Sequence, residues 1–171
     1  MQAPTTIKSV LQRTMAKYEK NPDSAINTTT CLAVIGKGMY CTVQEGDAVL
    51  RMDLPKSVGG EGLAVSPGVF GRACIAGCVA MGIRIAAELQ DCPVGNIQVE
   101  LAMEFDDRGI FSMTKVTAAP IAPRLNIALE TSVSQAQIDA LVSHALAHDP
   151  WFLALQMPYE VGVTVQPLEV T

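Results

Sequence analysis

Residues 66–91 read SPGVFGRACIAGCVAMGIRIAAELQD. Pro67 suits the first turn of a helix, where a missing N–H costs nothing, and the next proline is Pro93. The stretch predicts one long helix. Phe70, Cys74, Gly77, Cys78, Met81, Ile85 and Leu89 recur at three- and four-residue spacing, and Ile75, Val79, Ile83 and Ala86 form a second apolar face, so the pattern predicts a helix buried nearly all round. Arg72 and Arg84 interrupt the run, which argues for the core helix of a soluble protein over a membrane span.

Composition points the same way. The 171 residues suffice for one domain with a real core, 49% are hydrophobic and only 17% charged. A helix with two apolar faces in so apolar a chain predicts a large subunit interface. The net charge of −5 argues against nucleic-acid binding, which rests on clustered Lys and Arg. Five cysteines form no regular spacing, and the first twenty residues are polar instead of signal-like, so a reducing, cytoplasmic compartment with free thiols is expected.

Outward from the central helix, Thr5 to Lys20 places Ile7, Val10, Leu11, Met15 and Tyr18 on one face, with Lys8, Arg13, Lys17 and Lys20 as solvated charge. This predicts an amphipathic helix capped by Thr5 or Thr6, so residues 1–22 read as a helical extension of a single domain spanning 1–171. Asn27 to Leu54 is rich in β-formers and broken at Gly36-Lys37-Gly38 and Glu45-Gly46-Asp47, predicting a three-stranded meander. Lys56 to Ala64, with Gly59, Gly60 and Gly62, reads as a flexible loop; it lacks the Gly-Lys-Ser/Thr ending of a phosphate loop.

Beyond the helix, Ile97 to Phe105 and Leu125 to Val133 alternate as half-buried strands, with a further strand expected over 110–116 after the Asp106–Gly109 turn. Antiparallel pairing follows from such short turns. Ser134 and Gln137 form a capping box for a helix through Leu146, residues 151–157 read as a short helix, and Val161, Val163 and Val165 as a last strand. Strands around two principal helices make an α+β fold.

The central stretch resembles the OsmC/Ohr family, whose members act against organic hydroperoxides. Their Pro-initiated helix runs roughly P-x-x-L-L-x-A-A-L-A-[GS]-C; here Ala76-Gly77-Cys78 ends the pattern eleven residues after Pro67. The likeness continues through Met81–Glu88, Val99-Glu100-Leu101 and Phe105–Gly109. It implies an OsmC-like fold, with antiparallel sheets wrapped around a long central helix in an intertwined homodimer. It also implies thiol-dependent reduction of organic hydroperoxides, with Cys78 as the peroxidatic nucleophile, an external thiol reductant and no cofactor.

Two family elements differ. The resolving cysteine of a Cys-Pro pair after the second helix is replaced by Asp149-Pro150, and the acidic residue after the helix-initiating proline is Gly68. The family's arginine near the thiolate falls to Arg51, with Lys37 a weaker candidate. Cys74, one turn before Cys78, is a candidate resolver or else core packing. The family's plan brings His148 and Asp149 near Cys78 and lines its pocket with Phe70, Met81, Trp151 and Phe152. Read on residues alone, Cys78 past the first turn gains little from the helix dipole, so a low pKa requires a nearby cation. Cys31, Cys41 and Cys92 read as structural.

Two other classes stay open. A non-catalytic dimer of the same fold would bind a small apolar or acyl ligand in the pocket. A metal protein would combine Cys74-x3-Cys78 with His144-x3-His148 in a tetrahedral zinc site.

Overall fold

The computed structural model describes residues 5–113 and 115–168. The elements run α1 (Ile7–Lys20), β1 (Leu32–Ile35), β2 (Cys41–Glu45), β3 (Ala48–Met52), α2 (Pro67–Leu89), β4 (Val94–Ala102), β5 (Arg124–Thr131), α3 (Gln135–Leu146) and α4 (Pro150–Gln156). β1-β2-β3 form an antiparallel meander and β4-β5 an antiparallel pair.

The core lies between α2, α3 and the β4-β5 pair. Val79, Ile83, Ala86 and Ala87 of α2 meet Leu141 and Ala145 of α3, and Ile97, Val99, Leu125, Ile127 and Leu129 close over them from the strands. Alternation places these strand residues on one face. Arg84, which breaks the apolar run of α2, latches the helix to the next strand by donating to the carbonyls of Val94 (2.6 Å) and Gly95. Ser134 and Gln137 make the capping box that opens α3.

The central helix departs from the sequence expectation. Only the face with Ile75, Val79, Ile83, Ala86 and Ala87 is buried; on the other, Cys74 is exposed, Met81 is 62% exposed and Ile85 is also exposed. The described elements cover one side of α2 and leave the other bare. β1-β2-β3 is likewise thinly covered, with Leu32, Val34, Ile35, Val49 and Leu50 all exposed.

α1 is capped by Thr6 in a box with Ser9 and packs on α2. Lys8 pairs with Asp91 just past the end of α2. Leu11 is half-buried while Ile7, Val10, Met15 and Tyr18 remain exposed.

The expected strand over 110–116 is not formed: the described residues there are turn and irregular backbone. The chain closes on itself instead. Arg108 holds Asp106 through its Nε (2.9 Å), which lowers the pKa of that carboxyl, and at Gly109 a β-carbon would stand 2.6 Å from the Thr117 carbonyl oxygen. Residues 158–168 are irregular too, with Val165 90% exposed. Alternation alone makes no strand without a ladder partner for its backbone.

The loop over 56–64, expected to be flexible, is pinned from within. Asp53 is 1% exposed, and its carboxylate accepts the backbone N–H groups of Leu54 (2.8 Å), Leu63 (3.0 Å) and Glu61 (3.2 Å). The Leu63 bond is the largest cause lowering its pKa, working against burial. A short 3-10 turn at Lys56–Val58 and a parallel bridge between Met52 and Val65 complete the closure. The loop therefore delivers Ser66 and Pro67 to α2 from a fixed point.

Candidate functional site

Cys78 lies near the middle of α2, half-buried, at the edge of the buried face that carries Ile75 and Val79. Cys74 precedes it by one turn and Gly82 follows by one turn, so all three share a face. The connection between α3 and α4 arrives there. Asp149, only 3% exposed, caps α4: its Oδ1 accepts the Phe152 N–H at 2.7 Å. A β-carbon on Gly82 would stand 3.6 Å from Asp149 Oδ2, so the second carboxylate oxygen faces α2 beside Cys78. Pro150 at the first position of α4 and the bare backbone at Gly82 together allow this approach.

Electrostatically the thiol is held protonated. Its pKa is raised, first by burial, then by the nearby Asp149 carboxylate, then by Cys74. Desolvation and a neighbouring anion both disfavour thiolate.

The other predicted residues fall in different places. Arg51 is exposed on β3 opposite Thr42 and is not among the groups that act on the thiol, so the protomer does not bring it to Cys78. Lys37 is exposed in the β1-β2 connection, and Gly68 in the first turn of α2 lies under the Arg72 side chain. His148 is exposed and engages the His144 carbonyl through Nδ1 at 2.8 Å, which turns it toward its own helix. The two imidazoles lean on each other with centroids 4.6 Å apart.

The zinc arrangement is not assembled: among the described residues no group of three or more His, Cys, Asp or Glu is placed to hold a metal. Of the expected pocket residues, Phe152 packs against the core and Phe70 is half-buried, while Met81 and Trp151 (52%) are exposed. Two grooves among the described residues lie along β4-β5, one of them lined by Gln98, Glu100 and Asn126, away from Cys78. All five cysteines are free.

Asp53 is a residue that motif spacing passes over. Its signal was present as an aspartate set before a run of glycines, a composition that lets several N–H groups converge on one carboxylate.

A meander, a long Pro-initiated helix, an antiparallel pair packed on that helix and two following helices constitute the OsmC-like fold, and the chain has that fold. No family model and no curated protein matches the sequence. Among solved structures, an OsmC-like protein from Mycoplasma pneumoniae superposes with a TM-score of 0.65 at 13% identity, over 76% of this chain and 88% of that one. An organic hydroperoxide resistance protein OsmC from Legionella pneumophila gives 0.53 at 23% identity, over 77% and 90%. One from Elizabethkingia anophelis gives 0.51 at 15% identity, over 75% and 88%.

Proposed function

We propose that this protein reduces organic hydroperoxides by a one-cysteine route, with Cys78 as the attacking sulfur. The observation that carries the reading is the position of Cys78, half-buried between the core face and the uncovered side of the central helix and facing the turn between α3 and α4. In the OsmC/Ohr pattern that turn supplies the resolving cysteine. Here it supplies Asp149, so an external thiol must return the sulfenic acid to thiol. Structures of like fold include organic hydroperoxide resistance proteins, which agrees with the reading.

The working unit in this proposal is an intertwined homodimer. The exposed apolar side of α2 and the exposed apolar residues of β1-β2-β3 support it, because a stable soluble protein covers patches of that kind. A second chain laid over α2 would also close the open surface around Cys78 into a pocket fit for an apolar peroxide. The free cysteines suit a reducing, cytoplasmic setting.

A second reading is favoured by one observation, the raised thiol with no cation acting on it. On that reading the dimer binds a small apolar or acyl ligand and Cys78 is unreactive.

Trapping with a dimedone-type reagent during titration with cumene hydroperoxide separates the two. The expected result is stoichiometric modification of Cys78, located by peptide mass spectrometry and absent in Cys78→Ser. A reaction no faster than that of an ordinary buried thiol sinks the peroxidase reading and leaves the binding one.

A further inference from the structure

A thiol held protonated beside a buried carboxylate has somewhere to send its proton. We infer that Asp149 is the proton carrier of the Cys78 reaction, taking the thiol proton through Oδ2 as sulfur attacks and passing it to the departing alkoxide. The inference rests on the peroxidase reading and deepens it.

Geometry carries the argument. Asp149 is nearly fully buried, and its two oxygens have separate duties: Oδ1 is committed to the Phe152 N–H at 2.7 Å, while Oδ2 is directed at α2 next to Gly82, one turn past Cys78. The cap anchors the carboxylate, so its free oxygen is aimed without a further orienting residue. The titratable groups acting on the thiol are Asp149 from the α3-α4 turn and Cys74 from its own helix, both acidic. Thiolate is therefore scarce at neutral pH, and the route that avoids it is attack by the thiol with the proton leaving to a neighbouring base.

The step balances. Sulfur attacks the terminal oxygen of the hydroperoxide, an S–O bond forms and the O–O bond breaks. Sulfur loses two electrons and becomes Cys78 sulfenic acid; the peroxide gains them and leaves as alkoxide. The thiol proton, held by Asp149, goes to that alkoxide to give the alcohol. The carboxylate is regenerated, ready to accept a hydrogen bond from the sulfenic O–H. A resolving cysteine at this place could not serve in that way, since its own thiol would be consumed in a disulfide.

Asp149→Asn tests the inference, because the two possible roles move the rate in opposite directions. Asparagine is as good an N-cap as aspartate, so the turn and the Phe152 bond persist. The rate of sulfenic acid formation with cumene hydroperoxide is read by dimedone trapping on the full-length protein from about pH 6 to pH 8. If Asp149 carries the proton, the unsubstituted protein has a nearly flat profile. The variant is then slower at neutral pH by roughly 10²-fold, the low end for general acid-base catalysis, and climbs about tenfold per pH unit as thiolate appears. Asp149→Ser, also a capping residue, repeats the loss. If Asp149 only suppresses ionisation of the thiol, removing its charge lowers the thiol pKa and the variant is equal or faster; that result overturns the inference while Cys78 remains the nucleophile. Absence of Cys78 oxidation in the unsubstituted protein at every pH overturns the peroxidase reading and the inference together.

Discussion

Among the described residues two aspartates are buried, and they present their carboxylates to different donors. Asp53 accepts three backbone N–H groups of its own loop, which lowers its pKa and leaves it a fixed anion with no chemistry to do. Asp149 commits one oxygen to the Phe152 N–H and turns the other toward Cys78 and Gly82. A carboxylate surrounded by N–H donors is a structural clasp. One that faces a thiol can exchange a proton. Burial alone does not distinguish them; the identity of the facing donors does.

The contrast can be broken outright at the second site. Asp149→Cys is expected to convert the pair into a disulfide-forming one, so that cumene hydroperoxide consumes both thiols and leaves an internal Cys78 bridge visible by non-reducing peptide mapping. Persistence of a trappable sulfenic acid in that variant would mean that the α3-α4 turn does not meet the thiol. At the first site the sharpest probe is Gly60→Ala. The added β-carbon would lie 1.8 Å from the Leu54 carbonyl oxygen, a backbone clash that forces the loop open at a cost of about 3 kcal/mol, the upper part of the overpacking range. The expected readout is a fall in Tm by calorimetry, and an unchanged Tm would mean that the loop is not closed as described.

A finer test uses pH. Asp53 has a lowered folded pKa, so its stabilisation is fully present above the unfolded carboxylate value of about 3.9 and is lost as pH falls through the lower folded value. Asp53→Asn should therefore reduce Tm at neutral pH, and the gap from the unsubstituted protein should close on acidification. A gap that holds constant into acid would assign the effect to lost packing instead of charge. Cys78 oxidation should be untouched by this substitution, since Asp53 is not among the groups acting on the thiol.

How legible all this was depended on the range of the interaction. The long helix, the meander and the capping box at Ser134 and Gln137 were legible because proline placement, β-former runs and cap spacing are local signals. The strands expected over 110–116 and 161–165 failed because alternation reports which faces a strand would have, while a strand also needs a partner. The outer side of α2 reads as core in the sequence because apolar spacing does not tell which faces of a helix other elements of the chain cover.

At the site, position relative to Pro67 pointed to Cys78, and the family's plan brought the α3-α4 turn toward it. The same plan assigned an arginine to the thiol, but Arg51 stands exposed on β3 in the protomer. The orientation of His148 turned on a single bond to the His144 carbonyl, which no spacing rule encodes. Gly82 gave no sign of its role, because a glycine that admits a carboxylate reads in sequence as one more small residue of an apolar helix.

The contact between α1 and α2 bears on how the chain comes off the ribosome. Lys8 and Asp91 are 83 residues apart, so α1 is made well before the surface it packs on exists. At synthesis rates of about 5–20 residues per second, the interval is about 4 to 17 s, long on the scale of helix formation, which takes on the order of a microsecond. During that time Leu11, half-buried in the folded chain, has nothing to dock against, and the segment carries four basic residues that favour solvation of the nascent helix.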